Sequence, residues 1–159
     1  MATRSFIGKL ESDGAIRAVY CHLDGYLEHN GKLLAENYRT DEKIDRLLNE
    51  GALSSLGRDI GTKHSFDELQ HQSHCTFYSR DRGEGVEETK AEVFRNEQDF
   101  FVGAKSNWAE FVYLWKDQKW WYKQTYTEAD WSELKTEDVN GIPVFVHEPE
   151  VLEEKCITA

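Results

Sequence analysis

Several features that define whole classes of protein are missing from this sequence. Its mean hydropathy is −0.71 and its first ten residues, MATRSFIGKL, contain no long apolar run, so we expect neither a membrane-spanning helix nor a secretory signal. Its cysteines are an odd and sparse set of three, Cys21, Cys75 and Cys156. Such a set suits a reducing compartment better than a disulfide framework, and we expect a cytoplasmic protein.

The common enzyme signatures are missing as well. The chain has no Walker-type glycine-rich loop, no G-x-G-x-x-G, no H-E-x-x-H and no G-x-S-x-G elbow. Any catalysis has to come from dispersed acidic residues and histidines, which one sequence does not identify. The sequence therefore points to no catalytic residue and to no cofactor.

What the chain does have is enough apolar material for one folded domain. Of its 159 residues, 39% are hydrophobic and 13% aromatic, and only 2 are proline. A chain of this length forms a single domain by default, so we expect residues 1–159 to form one domain. The oligomeric state is left open.

The charge is acidic and unevenly distributed. Thirty acidic side chains outnumber 19 basic ones, for a net charge of −11, which opposes direct binding to nucleic acid. Residues 125–159 alone hold nine acidic and two basic residues, among them Glu148, Glu150, Glu153 and Glu154. This acidic C-terminal segment is either a binding surface for a protein with a basic surface or a solvated edge.

Two β-hairpins are predicted. Residues 5–10 and 15–22 flank Asp13-Gly14, a strong turn signal. Residues 110–115 and 120–126 alternate in polarity on either side of a short polar stretch. Because apolar side chains fall on both faces of residues 15–22, both faces of the sheet are expected to be covered.

Helices are predicted between and after the first strands. The clearest spans residues 41–49, which Thr40 precedes as a cap and Gly51 follows as a stop signal. Residues 30–38 carry apolar side chains at one-face helical spacing. A capping-box pattern, in which a serine is followed three residues later by a glutamate, predicts a further short helix over residues 65–71.

The remaining segments complete the expected architecture. Residues 75–78 are predicted to form a strand and residues 79–88 a charged loop, whereas residues 87–101 are ambiguous. The expected fold class is α+β, with an antiparallel β-sheet built from hairpins and three or four short packed helices.

A polar group is predicted at the end of the second strand. His22, Asp24 and Tyr26 place an imidazole, a carboxylate and a phenol around Gly25, in a position where side chains often face a ligand. The alternative is a turn at Asp24, beneath which the rings of His22 and Tyr26 pack with their polar atoms hydrogen-bonded.

The densest set of potential metal ligands is His64, His71, His74 and Cys75. A zinc ion needs three or four such donors in tetrahedral geometry. Their spacing is irregular and no C-x-x-C pair is present. We therefore predict no metal site, and we expect His71 and His74 to cap or line the end of the short helix.

Guanidinium and carboxylate groups alternate through Arg80, Asp81, Arg82 and Glu84. Bidentate arginine contacts recognise phosphate and carboxylate groups, which makes this segment the best candidate for a recognition loop. The same alternation is consistent with an internal network of ion pairs.

Four of the five tryptophans lie between residues 115 and 131. Alternation along the second hairpin places Trp120 and Trp121 on opposite faces, so one of the two is a candidate for exposure. An exposed Trp121 or Trp131 beside acidic residues suits a hot spot for a protein partner or a stacking surface for a nucleotide. Coverage of both faces by helices and the acidic segment is the alternative.

Several segments resemble a family of small uncharacterised proteins encoded by bacteriophages and prophages. They are MATRSFIG, AIRAVYCH, DGY, NGKLL and GALSSLG, followed by Tyr78, RDRGE and AEFVYL. The likeness is strong over residues 1–57 and patchy to about residue 124. Leu23 stands where the family pattern has a tryptophan, and the acidic segment has no counterpart. The resemblance implies a phage accessory protein of the host cytoplasm and brings no catalytic residue.

Two functional hypotheses follow. The first is a non-enzymatic inhibitor or modulator of a host defence or nucleic-acid enzyme, which the acidic segment contacts at a basic surface. The second is a module that binds a nucleotide or signalling metabolite through His22, Arg80, Arg82 and an exposed tryptophan. A metal-dependent hydrolase ranks below both, because it needs a metal site that the histidine spacing does not support.

Overall fold

Eight β-strands and five α-helices are present in the part of the chain that the computed structural model describes, residues 2–68 and 73–135. The strands are β1 (Ser5–Leu10), β2 (Ile16–Cys21), β3 (Leu53–Ser55), β4 (Thr76–Phe77), β5 (Glu92–Phe94), β6 (Phe111–Lys116), β7 (Lys119–Gln124) and β8 (Ser132–Glu133). The helices are α1 (Lys32–Asn37), α2 (Asp41–Asn49), α3 (Tyr78–Arg82), α4 (Val86–Thr89) and α5 (Glu97–Ser106). None of these helices is long and apolar enough to cross a bilayer.

Both predicted hairpins are confirmed. β1 and β2 pair antiparallel from Ser5↔Cys21 to Leu10↔Ile16, around a turn in which Gly14 has a φ of 91°. β6 and β7 pair in the same way and are joined by Asp117 and Gln118, with φ angles of 55° and 60°. Two consecutive left-handed residues form the turn whose twist matches that of the flanking strands.

The two hairpins lie side by side in one sheet, with the strand order β4-β3-β2-β1-β6-β7-β8 and with β5 against the first half of β2. The expected α+β class is confirmed. The sheet is mixed, however, and not antiparallel throughout, because β1 runs parallel to β6 and β2 runs parallel to β3. Turn signals are local and predict hairpins, whereas the edges at which two hairpins meet are decided by packing.

Each face of the sheet supports its own apolar cluster. On the first face, Ile7, Val19 and Cys21 pack with buried residues of α1 and α2. On the second face, a cluster joins the sheet to α5, and its members include Phe6, Ile16, Ala18, Phe100 and Ala104. The expectation that both faces are covered is therefore confirmed for these residues.

The helix predicted over residues 41–49 is α2, with the predicted bounds. The Thr40 hydroxyl accepts a hydrogen bond of 3.2 Å from the Lys43 N–H, and Ile44, Leu47 and Leu48 are buried. The helix predicted over residues 30–38 is shorter, because a π-helical turn at Leu27–Gly31 precedes α1.

Two other local predictions need correction, and one segment left ambiguous is assigned. The prediction of a charged loop over residues 79–88 is wrong, because most of these residues lie in α3 and α4. α3 ends at Gly83, which is left-handed with a φ of 80°. Residues 66–68 form a turn and not the start of a helix, and residues 69–72 lie outside the described residues. The ambiguous segment at residues 87–101 contributes the end of α4, then β5 and the first half of α5.

Two left-handed glycines provide a matched test of the close approach between α2 and α4. A Cβ added to Gly51, with a φ of 87°, meets the Thr89 carbonyl oxygen at 2.5 Å, whereas a Cβ added to Gly14 meets nothing within 4 Å. We expect Gly14→Ala to lower the free energy of unfolding by about 1 kcal/mol, the penalty for a left-handed alanine. Gly51→Ala adds a backbone clash, and we expect a loss of about 3 kcal/mol. Urea unfolding measures both, and equal losses contradict this account of Gly51.

Candidate functional site

The polar groups predicted around Gly25 are hydrogen-bonded within the protein. Asp24 has a φ of 55°, and its carboxylate accepts a hydrogen bond of 3.1 Å from the Tyr26 hydroxyl. The Nδ1 atom of His22 lies 2.7 Å from the Tyr20 hydroxyl. Asp24 and Tyr26 therefore fit the structural alternative. His22 is half-buried on the second face of the sheet.

Arg80 and Asp81 form a buried internal ion pair. The Arg80 guanidinium donates to the Asp81 carboxylate at 3.0 Å and to the carbonyl oxygens of Ile60 and Cys75 at 2.8 and 2.9 Å. The Asp81 carboxylate also accepts from the N–H groups of His64 and Phe77, at 3.0 and 2.8 Å. For these two residues the network alternative describes the structure, and an open recognition loop does not.

Arg82 and Glu84 lie at the surface of the same segment. The Arg82 Nε donates to the Glu84 carboxylate at 2.6 Å. The Arg82 guanidinium also covers two rings that stack on each other, 4.7 Å from the centroid of Phe66 and 5.0 Å from that of Tyr78. These two predicted site residues are therefore accessible, and Arg82 belongs to an aromatic surface.

The candidate metal ligands are directed elsewhere. The Nδ1 and Nε2 atoms of His64 lie 2.8 and 3.1 Å from the carbonyl oxygens of Ser65 and Cys75. Burial raises the pKa of the Cys75 thiol to about 11, so the thiolate that a metal requires is disfavoured. His74 is exposed, and His71 lies outside the described residues. Within the described part of the chain, no group of three His, Cys, Asp or Glu side chains is placed to hold a metal ion.

The predicted tryptophan surface is mostly covered. Trp120 is fully buried, and its indole N–H donates to the Tyr38 carbonyl oxygen at 2.8 Å. Trp121 is half-buried and donates to the Lys116 carbonyl oxygen at 3.1 Å. Trp131 is half-buried and stacks on Phe100, with ring centroids 6.4 Å apart.

The exposed tryptophan is Trp108, which the sequence patterns did not single out. Its side chain is 69% exposed and its backbone has a φ of 64°. It follows the end of α5 at the position where a left-handed glycine commonly ends a helix, and the Ala109 N–H closes that end by donating to the Ala104 carbonyl oxygen at 3.0 Å. Because residues 87–101 were ambiguous, the end of α5 was not predictable, and neither was the exposure of Trp108.

A second exposed aromatic residue follows a strand end that is hydrogen-bonded to the backbone just after Trp108, and two exposed acids come after it in the chain. Thr125 holds the end of β7 against residues 109–110, through its hydroxyl to the Ala109 carbonyl oxygen at 2.6 Å and its N–H to the Glu110 carbonyl oxygen at 3.0 Å. Tyr126 follows and is 59% exposed. We call Trp108, Tyr126 and the exposed acids Glu128 and Asp130 the Trp108 surface. Glu148, Glu150, Glu153 and Glu154 lie outside the described residues.

A cleft elsewhere on the protein is lined by charged side chains that pair with each other. This cleft of about 790 Å³ lies at the turns of the two hairpins and is lined by Lys9, Arg17 and Trp115, among others. Lys9 and Arg17 both pair with Asp45, at 3.0 and 2.7 Å. Opposite charges therefore compensate each other at this cleft and tie α2 to the sheet.

No protein-family model, no curated protein and no solved structure is similar to this chain at a significant level. The function therefore has to be argued from the geometry of the described residues.

The Asp81 network leads to a pH-dependence of stability. Burial acts to raise the pKa of Asp81, but the hydrogen bonds from Arg80, Phe77 and His64 outweigh it and hold this pKa below its usual value. A carboxyl group whose pKa is depressed by folding contributes stability above its unfolded pKa and loses it as the pH falls through the folded one. We expect Asp81→Asn to lower the free energy of unfolding by about 3 kcal/mol at pH 7, and by progressively less below about pH 4.

Urea unfolding between neutral and acidic pH measures this difference. Asp67→Asn is the control, because Asp67 is exposed on a nearby turn. A loss for Asp81→Asn that does not change with pH shows that the charge of Asp81 contributes nothing to stability.

Proposed function

We propose that this protein is a non-enzymatic binding protein that docks onto a protein with a basic surface, through the Trp108 surface and the acidic C-terminal segment. The observation that carries the proposal is the conformation of Trp108. A left-handed backbone costs a residue with a side chain about 1 to 2 kcal/mol, and a 69% exposed indole recovers little of this by burial. Folding alone thus gives no reason for a tryptophan here, and strain of this kind accumulates at functional positions.

The residue types suit protein recognition. Tryptophan and tyrosine are enriched at binding hot spots, because a large rigid ring buries much area and loses little side-chain entropy. Trp108 and Tyr126 are both more than half exposed. The pair therefore supplies aromatic anchors that are already in place before binding.

The charge favours a basic partner. Glu128 and Asp130 follow Tyr126 in the chain and are exposed, and residues 125–159 as a whole hold nine acidic and two basic side chains. A field of one sign steers a partner of opposite charge and disfavours acidic competitors. Together with the resemblance to phage proteins, this supports a host defence or nucleic-acid enzyme as the partner, with the acidic segment placed at its basic nucleic-acid channel.

Trp108→Gly separates folding from binding. Glycine adopts a φ of 64° without strain, so we expect the variant to gain about 1 kcal/mol in the free energy of unfolding while its affinity for the partner falls at least about tenfold. The partner is first captured on the tagged protein from a bacterial lysate and identified by mass spectrometry. Titration with the purified partner then gives the affinity, and urea unfolding gives the stability.

The control for this variant is Val93→Ala, because Val93 is 70% exposed on β5 and lies outside the Trp108 surface. It should bind as the native protein does. Native affinity in Trp108→Gly means that Trp108 is not part of the docking surface.

Charge reversal tests the basic partner. We expect capture of the partner to be abolished when lysine replaces Glu148, Glu150, Glu153 and Glu154. We also expect capture by the native protein to weaken as the salt concentration rises from about 50 to 300 mM, because the Debye length falls. The matched control reverses the exposed acids Glu42, Glu87, Glu88 and Glu92, which changes the net charge equally. Unchanged capture by the C-terminal variant at moderate salt rules out the acidic segment as the contact.

A further inference from the structure

The second face of the sheet has a polar region at the end of β2. α5 packs on Phe6, Ile16 and Ala18, while Tyr20 and His22 follow on the same face and are half-buried. Ser5 pairs with Cys21, so Arg4 lies across from His22, one step further along the two strands.

Arg4, Tyr20 and His22 form a polar group on this face. Burial raises the pKa of the Tyr20 hydroxyl and the nearby Arg4 charge opposes this rise, while the hydroxyl oxygen lies 2.7 Å from the Nδ1 of His22. Burial, with Arg4 as a second cause, lowers the pKa of His22, so the imidazole is neutral at pH 7. Nδ1 then accepts the Tyr20 proton, and the ring carries its own proton on Nε2. The Arg4 guanidinium and the Nε2–H of His22 are therefore hydrogen-bond donors.

Arg4 differs from other arginines of the described residues in what surrounds its charge. Arg17, Arg80 and Arg82 each pair with a carboxylate. No carboxylate of residues 2–68 and 73–135 lies within 4 Å of the Arg4 guanidinium. A half-buried guanidinium beside a neutral imidazole N–H is suited to an anion, because both donate and neither accepts.

Two aromatic rings lie on the other side of β3 from Tyr20 and His22. The N–H groups of His22 and Leu23 donate to the carbonyl oxygens of Leu53 and Ser54, and the Tyr78 N–H donates to that of Ala52 at 3.2 Å. Because Cys21 pairs with Leu53 and Leu53 pairs with Phe77, Tyr78 lies two strands away from Tyr20. The Tyr78 ring stacks on Phe66, with centroids 5.6 Å apart and planes at 30°. Phe66, Tyr78 and the Arg82 guanidinium above them form a half-exposed shelf for a planar ring.

We propose that this region is a nucleotide-binding site, in which Arg4 and His22 hold a phosphate and the Phe66–Tyr78–Arg82 shelf stacks the base. Tyr20 is a positioning residue, since its hydroxyl lies 2.7 Å from the Nδ1 of His22. The proposal is independent of the Trp108 surface and of the acidic segment. The net charge of −11 opposes long nucleic acids, whose affinity depends on many phosphate contacts. A mononucleotide or dinucleotide carries few charges and contacts only the hydrogen-bond donors of this site.

The full-length protein is titrated by calorimetry with AMP, ADP, GMP, adenosine and inorganic phosphate. We expect at least one nucleotide to bind with a Kd below about 1 mM, and both adenosine and phosphate to bind at least about tenfold more weakly than that nucleotide. Absence of nucleotide binding up to about 5 mM overturns the site. Phosphate or adenosine that binds as tightly as the nucleotide overturns the two-part arrangement.

Variants locate the two parts of the site. Arg4→Gln should weaken the nucleotide at least about tenfold, and Tyr78→Leu should do the same by removing the stacking ring. Tyr20→Phe keeps the packing against Phe6, at 5.7 Å between ring centroids, and should weaken binding about three- to tenfold through the lost hydroxyl alone. Arg95→Gln is the control, because Arg95 is exposed and paired with Asp99 at 2.8 Å. Equal weakening by Arg95→Gln means that the effect is general electrostatics, and the site is then overturned.

Discussion

The parallel pairing of β1 with β6 is the constraint on which the rest of this structure depends. It joins two hairpins that are separated by most of the chain and places β1 at the centre of the sheet. A central strand needs cover on both faces, which α1 and α2 provide on one side and α5 on the other. Gly8 permits the close approach of α5, because a Cβ there would lie 3.0 Å from Phe100 and from Ile16.

Charged residues in this protein fall into two groups, according to whether their side chains pair with other groups of the protein. The Arg80 guanidinium reaches three backbone carbonyl oxygens as well as Asp81, so its charge connects the segment after β3 to α3. Lys9 and Arg17 connect β1 and β2 to α2 through Asp45. Such groups resemble recognition elements in sequence, yet their donors are occupied. Arg4 differs, because this half-buried residue lacks a close carboxylate among the described residues.

The two proposed surfaces are neighbours along one short segment. Trp108 ends the turn after α5, and two residues later the Glu110 N–H donates to the Arg4 carbonyl oxygen at 2.8 Å. The segment at residues 108–110 thus carries the strained tryptophan and also fixes the backbone of the arginine that we assign to phosphate binding. Its position is set by α5 packing from one side and by the hydrogen bonds of Thr125 from the other.

The sequence by itself determined the local elements: both hairpins, the bounds and cap of α2, and the α+β class. These follow from turn residues, capping side chains and periodicity, which act over a few residues. It also indicated His22 and Arg82 as candidate binding residues. Only the tertiary structure decided that β1 and β6 run parallel, that Arg80 is internal, that Trp108 is exposed, and that the half-buried Arg4 has no close carboxylate among the described residues. Exposure and the pairing of charges depend on residues distant in the chain, because packing, and not the local pattern, decides which side chains meet.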